Sequence, residues 1–180
     1  MRNATELLVQ YATYHRDRRN IATHFIGVPL IVFAVGVLLA RPVSPLGAWP
    51  VTPAGLALGL AAAWYLTRGL ASLGVATTAA TALLVLLGHW VSAHHGTAGW
   101  LAWGVGGFVV GWLIQFVGHY YEGRKPAFVD DLVGLLVGPM FVTAEALFAL
   151  GWNRPLAQEI ERRAGPTGYR DLHYAAAVGR

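Results

Sequence analysis

The sequence predicts an all-α integral membrane protein. We expect a helical bundle of four spanning helices, a broken re-entrant fifth segment and an N-terminal amphipathic helix. Of its 180 residues, 56% are hydrophobic and only 12% are charged, whereas soluble domains carry about a quarter charged residues. Apolar runs near the roughly 20 residues that span a bilayer recur along the chain. No segment shows the alternation typical of a strand, so none is expected.

The first part of the chain predicts an amphipathic helix and then the spans. In residues 3–19, Leu7, Leu8 and Tyr11 fall on one side of a helix, away from the charged side chains. Asn20 is a good N-cap for the first span, so the chain is expected to break just before it. The four predicted spans are residues 21–40, 54–66, 70–93 and 100–119, of which the second is marginal in length.

The last apolar run, residues 132–150, contains Gly138-Pro139. Because proline removes a helical hydrogen bond and clashes with the preceding turn, we predict two half-helices that fold back as a re-entrant hairpin. The hairpin completes a membrane bundle over residues 21–150. It would return Glu145 to the face where the run begins, and residues 152–180 would form a peripheral polar tail in the same single membrane domain.

Charge and cysteine content exclude several classes of protein. The basic residues stand at the ends of apolar runs and form no stripe interleaved with aromatic side chains, so nucleic-acid binding is not expected. The chain has no cysteine, which excludes disulfides and thiolate metal sites. Basic residues gather on the cytoplasmic side of membrane proteins. The arginine-rich face is therefore predicted to be cytoplasmic, in a bacterial inner membrane or in the endoplasmic reticulum of a eukaryote.

Polar side chains at membrane depth are costly, so each of them is a candidate functional residue. They form three groups along the chain. The first, around the start of the first span, is Tyr11, His15, Asn20 and His24; the second, where the fourth span ends, is Gln115, His119 and Glu122; the third is Glu145.

Spacing and the span count bring these groups together. The second group has i, i+4, i+7 spacing, which places its members on one helix face. His15 and His24 are nine positions apart, about half a turn out of phase on a continuous helix, so they meet only if the chain turns between them. The count of spans puts both groups on one membrane face. We therefore predict His15, His24 and His119 as metal ligands, with Glu122 or Glu145 as a further ligand or partner.

Spacing alone leaves the metal and the function open. Histidine and carboxylate ligands without cysteine suit zinc, manganese, nickel or non-haem iron. A membrane transporter or metal-binding scaffold is the alternative to an enzyme, but it predicts polar residues at several depths along one path. A two-metal fatty-acid hydroxylase would need several histidine boxes, and the pair His94-His95 is predicted on the opposite face.

Two motifs resemble the membrane 2-hydroxy-fatty-acid dioxygenase family. They are Tyr11-x3-His15-x4-Asn20-x3-His24-x2-Gly27-x-Pro29 and Gln115-x3-His119-x2-Glu122-x3-Pro126, continued by Pro139-x-Phe141 and Glu145. The resemblance covers nearly the whole chain. The second and third spans match only as generic hydrophobic helices, whereas the second motif is specific.

The resemblance implies an Fe2+- and O2-dependent enzyme that cleaves the C1–C2 bond of a long-chain 2-hydroxy fatty acid and leaves an acid one carbon shorter. The expected partners are this acid, molecular oxygen and membrane lipid. The residue assignments that go with this interpretation are as follows: metal ligands His15, His24, His119 and Glu122; catalytic residues Tyr11, Asn20, Glu122 and Glu145; substrate-binding residues Gln115, Arg19, Arg124 and Lys125.

Overall fold

The structure is a computed structural model that describes residues 2–41, 43–46, 49–126 and 131–170. The described residues form seven helices, so the helical class predicted from the sequence is confirmed. In chain order they are α1 Ala4–Ala12, α2 Arg18–Leu39, α3 Pro53–Leu66, α4 Ala71–His94, α5 Thr97–Glu122, α6 Gly134–Ala149 and α7 Arg154–Ala164. Within α5, a π-helical turn at Ala102–Gly106 separates the α-helical segments Thr97–Leu101 and Gly107–Glu122.

One short hairpin departs from the expectation that the chain contains no strand. Strands β1, Ser44–Leu46, and β2, Trp49–Val51, pair antiparallel between α2 and α3. Pro45 lies opposite Pro50 in this ladder. Proline is tolerated in edge strands because the ladder does not need its missing N–H there, so a proline-rich loop can still pair in this way.

The chain forms two compact units. The first comprises residues 1–26 and 113–180, and the second comprises residues 27–112. In the first unit α1 packs against both α6 and α7 and buries one face, which includes Leu7, Leu8 and Tyr11. In the second unit α3 and α4 form a helical hairpin. The proposed metal ligands all fall in the first unit.

Among the described residues, three helices, α2, α4 and α5, are long and apolar enough to cross a membrane. Helix α3 has 14 residues, a length of about 21 Å, and this is less than the roughly 30 Å of a hydrocarbon core. Helices α6 and α7 would add a fourth crossing if that bent pair is one span. The predicted set of four spans and a re-entrant fifth segment therefore stays a prediction.

The predicted N-terminal helix over residues 3–19 is wrong beyond Ala12, where α1 ends. Helix α2 begins at Arg18, and residues 13–17 form a turn between the two helices. A carboxylate oxygen of Asp17 accepts a hydrogen bond from Arg19 N at 2.8 Å. Asp17 thus fills the capping role predicted for Asn20, which lies inside the first turn of α2, because an aspartate caps a helix as well as an asparagine does.

The predicted break at Gly138-Pro139 is also wrong, because α6 continues through Pro139. A single proline removes one helical hydrogen bond, and membrane helices accommodate that loss. The chain bends by 120° between α6 and α7 instead. At this bend Gly151 and Asn153 have φ values of 85° and 44°, the left-handed region that glycine and asparagine adopt most readily. The bend in this part of the chain therefore follows Ala149 and does not fall at Pro139.

Glycine lets two helices of the second unit approach each other closely. A Cβ atom on Gly88 of α4 would lie 2.7 Å from Val37 N and 2.8 Å from Phe33 O, both backbone atoms of α2. Backbone atoms cannot move aside as a flexible side chain does, so this contact requires a residue without a side chain. Small residues at such contacts are typical of helix packing in lipid.

We expect Gly88→Ala to lower the free energy of unfolding by about 1–3 kcal/mol, the usual cost of overpacking. Thermal unfolding of the detergent-solubilised protein, followed by circular dichroism, measures this loss. The control is Gly59→Ala in α3, where a Cβ would meet no described atom within 4 Å. That variant should be as stable as the wild type or slightly more stable, because alanine favours helix. Equal melting temperatures for the two variants would contradict the close contact.

Candidate metal centre

Three buried histidines meet in the first unit. His15 lies on the turn between α1 and α2, His24 lies in the second turn of α2, and His119 lies in the last turn of α5. One potential ligand atom from each ring lies within 4.8 Å of the other two, and all three residues are buried. The structure therefore brings together the three histidines that the sequence analysis assigned to a metal.

Two aromatic rings cover this cluster. The ring of Tyr11 stacks on His15 with 4.1 Å between the centroids and an angle of 5° between the planes. The centroid of the Phe141 ring, on α6, lies 5.3 Å from the ring centroid of His15 and 5.1 Å from that of Tyr11. The sequence analysis gave Phe141 no role, and its place in the second motif was the only signal. These rings cover one side of the site, and burial raises the pKa of the Tyr11 hydroxyl.

Backbone partners fix the proton positions on two of the histidines. His15 Nδ1 lies 2.8 Å from Tyr11 O, and His24 Nδ1 lies 2.9 Å from Asn20 O. A carbonyl oxygen only accepts, so each Nδ1 carries a proton and each Nε2 of a neutral ring has a lone pair. Burial, with the nearby His24 as a second cause, lowers the pKa of His15 well below its ordinary value. His15 is therefore neutral at pH 7.

The two lone pairs point at each other. His15 Nε2 and His24 Nε2 are 3.0 Å apart, and two acceptors at this distance repel unless a cation lies against both. His119 Nδ1 is also buried and has no hydrogen-bond partner among the described residues. A ring that donates from one nitrogen to a carbonyl and presents the other nitrogen is the usual state of a metal ligand. The donor set thus fits a first-row divalent metal ion.

Glu122 holds the turn that carries His15. Its Oε2 accepts hydrogen bonds from Arg16 N at 2.9 Å, from Asp17 N at 2.8 Å and from Asn20 Nδ2 at 3.1 Å. The carboxylate is fully buried, and its Oε1 lies 2.8 Å from a guanidinium nitrogen of Arg170. Glu122 is not part of the described group whose ligand atoms converge. Its three N–H donors join it to the turn, and its predicted role as a metal ligand stays a prediction.

Gly118 allows α5 to come close to the first turns of α2. A Cβ on Gly118 would clash with Thr23 Oγ1 and would lie 2.5 Å from Asn20 Oδ1. The close approach puts His119, the next residue, beside His24, and the two ring centroids are 5.1 Å apart. Asn20 spans the contact, because its Nδ2 donates to Glu122 and also to Tyr14 O at 3.0 Å.

Of the other predicted site residues, Gln115 lies nearest to the cluster. It is buried, and its side chain is within hydrogen-bonding reach of the His24 ring. Glu145, on α6, lies outside the described cluster of ligand atoms, and its main electrostatic partner is Arg16. Its predicted catalytic role stays a prediction.

The basic residues predicted to bind substrate differ in their surroundings. The Arg19 guanidinium bonds to both carboxylate oxygens of Asp17 and lies over the ring of Tyr121 at 4.3 Å, and its predicted substrate role also stays a prediction. Arg124 donates to Thr13 O at 3.0 Å, and both Arg124 and Lys125 are exposed to solvent. Their substrate roles stay predictions.

Asp17 is a residue of this site that the sequence analysis missed. Its side chain is fully buried and accepts hydrogen bonds from Arg19 and from Arg170 N at 2.7 Å. An aspartate among arginines is typical of a solvated turn, so composition did not single it out. Its position just before a helix, which suits an N-cap, was the available signal.

Comparisons with known proteins agree on one family. The family described as "2-hydroxy-palmitic acid dioxygenase Mpo1-like" matches residues 1–150. The chain is also 32% identical over 156 residues to the 2-hydroxy-palmitic acid dioxygenase MPO1 of Saccharomyces cerevisiae, which covers 84% of this chain and 83% of that protein. No solved structure matches the chain.

The carboxyl of Asp17 makes the stability of this turn depend on pH. Burial alone would raise its pKa, but the hydrogen bonds from Arg19 and Arg170 hold the pKa at about 2, below the ordinary 3.8. Folding therefore favours the charged form. The resulting stability is complete above about pH 4 and is lost as the pH falls to about 2. We expect Asp17→Asn to lower the free energy of unfolding by about 2 kcal/mol at pH 7.

The measurement is unfolding of wild type and variant in detergent at pH 7, 4 and 2.5. The difference between the two proteins should shrink toward the lowest pH. Glu159→Gln is the control, because Glu159 pairs with Arg162 on the partly exposed surface of α7, and such pairs contribute about 0–1 kcal/mol. A difference for Asp17→Asn that stays constant with pH would contradict the assignment.

Proposed function

Because this chain belongs to the Mpo1-like family of 2-hydroxy-palmitic acid dioxygenases, we propose that it shortens long-chain 2-hydroxy fatty acids by one carbon in a reaction that needs Fe2+ and O2. The observation that carries the proposal is the pair of Nε2 atoms, on His15 and His24, that face each other at 3.0 Å. His119 supplies the third imidazole. Three neutral imidazoles with positions left for substrate suit iron(II) among other first-row metals.

The atoms of the proposed reaction balance with O2 as the co-reactant. The C1–C2 bond of the 2-hydroxy acid breaks, C2 becomes the carboxyl carbon of the shorter acid, and C1 leaves as CO2. The substrate gives up four electrons, O2 accepts them, and one molecule of water forms. Bound iron would supply a centre that the carboxylate and the 2-hydroxyl can both reach, together with the means of activating O2.

The protein's own residues hold this site in shape. The carbonyls of Tyr11 and Asn20 fix the ring orientation of His15 and His24. The rings of Tyr11 and Phe141 shield the cluster from water. Gln115, next to His24, is placed to hydrogen-bond an oxygen of the substrate. We assign Glu122 to positioning rather than to metal ligation, since its Oε2 is already bonded to three N–H donors.

The surroundings of the site suit a lipid-like acid. Arg124 and Lys125 follow α5 directly and are exposed, so their charges can attract a carboxylate as it arrives. The acyl tail would lie along the apolar membrane helices. The arginines near the site favour the cytoplasmic face, because basic residues gather on that side of membrane proteins.

The histidines can be tested by metal content. His15→Ala, His24→Ala and His119→Ala should each bind Fe2+ at least about tenfold more weakly, because each removes one of three ligands. Purified protein, loaded with Fe2+ without oxygen and desalted, is analysed by inductively coupled plasma mass spectrometry. His94→Ala is the control, because His94 is exposed at the end of α4. Wild-type iron content in all three site variants would exclude this metal centre.

The substrate proposal can be tested by comparing 2-hydroxypalmitate with palmitate. Palmitate lacks the 2-hydroxyl, so it could not bind the metal through two oxygens as 2-hydroxypalmitate could. We therefore expect 2-hydroxypalmitate to be shortened at least about tenfold faster than palmitate. Mass spectrometry of the acids and an oxygen electrode follow the reaction, and an iron chelator should abolish it. Iron binding without shortening of either acid would favour the binding or transport alternative. Equal rates on both acids would refute bidentate binding of the substrate.

A further inference from the structure

A short segment after α7, residues 165–170, lies along the turn that carries His15. Gly168 and Asp17 form a parallel β-bridge, in which Arg18 N donates to Gly168 O at 2.9 Å and Gly168 N donates to Arg16 O at 3.0 Å. The Arg16 guanidinium also donates to Gly165 O at 3.0 Å. We call residues 165–170 the clasp, because they bond to the backbone of the turn.

Arg170 ties the clasp to two buried carboxylates. Its guanidinium lies 2.8 Å from Glu122 Oε1, and its backbone N–H donates to Asp17 Oδ2 at 2.7 Å. Arg19 closes the ring of contacts by donating to Arg170 O at 2.8 Å. Both carboxylate side chains are fully buried. A buried charge is costly unless it is paired and hydrogen-bonded, so each carboxylate needs the clasp in place.

The contacts run in sequence from Arg170 to His15. Arg170 pairs with one oxygen of Glu122, and the other oxygen accepts the backbone N–H groups of Arg16 and Asp17. Arg16 directly follows His15 in the chain. A Glu122 carboxylate that loses its cation would hold the backbone N–H groups of Arg16 and Asp17 less firmly. The turn would then be free to shift His15 relative to His24, whose Nε2 atoms now lie 3.0 Å apart.

We propose that the clasp, through Arg170, positions His15 for metal binding. The proposal rests on the three-histidine site of the proposed function. Residues 165–170 lie outside the residues 1–150 that the family model matches. Arg170 acts through Glu122 and the turn, and it is a positioning residue.

The test is a titration of the metal-free, full-length protein with Co2+, whose visible absorption reports the ligand geometry. Arg170→Met keeps the length of the side chain and removes its charge, and Gly168→Pro removes the N–H that bonds to Arg16 O. Both variants should bind Co2+ about tenfold more weakly and with an altered spectrum. Arg170→Lys should restore most of the affinity. Arg162→Met is the matched control, because Arg162 is 73% exposed and pairs within α7.

A second readout needs no metal. Hydrogen exchange of the metal-free protein should show the amides of Arg16 and Asp17 exchanging at least tenfold faster in Arg170→Met, and unchanged in Arg162→Met. Wild-type Co2+ affinity and spectrum in Arg170→Met would overturn the proposal. Failure of the wild type to bind Co2+ would overturn it together with the metal site. A wild type that binds Co2+ and Fe2+ but shortens no 2-hydroxy acid would refute the proposed activity and leave the clasp intact.

Discussion

The arrangement of this site depends on one buried carboxylate. Glu122 is the last residue of α5, and it bonds to backbone N–H groups of the turn between α1 and α2, more than 100 positions earlier in the chain. Burying a carboxylate is unfavourable unless its oxygens are satisfied. Burial of the Glu122 carboxylate therefore requires the end of α5 to contact the turn. This contact brings His119, on α5, close to His15, on the turn.

The same constraint explains why the chain breaks between its first two helices. His15 and His24 would lie half a turn apart on one continuous helix, and only a turn can set their rings against each other. That turn leaves backbone N–H groups without helical partners, and Glu122 accepts two of them. Asp17 then starts α2, while Gly118 keeps α5 near enough for His119 to join. The same few residues satisfy the backbone N–H groups of the turn and bring the three histidines together.

The convergence of the histidines could be predicted because it depends on helical spacing and on the direction of successive helices. The predicted helix cap and the predicted helix break were wrong, because in each case two local arrangements are equally favourable. Asp17 and Asn20 are both suitable caps, but the Asp17 side chain accepts from Arg19 N, whereas the Asn20 side chain donates to Glu122 and Tyr14. Pro139 is compatible with a break or with a continuous membrane helix, and the left-handed Gly151 and Asn153 decide where the chain bends. The contacts of Arg170 span the length of the chain, so no local pattern indicates them.

The contact between the turn and residues 165–170 has a consequence for biosynthesis. His15 leaves the ribosome about a hundred residues before its partners in α5. The backbone bonds to Gly168 form only after α6 and α7 have been made. Contacts this distant in sequence are slow to form. Helix α1 and its turn therefore stay without these backbone bonds until residues 165–170 have been made, after all three histidines have been synthesised.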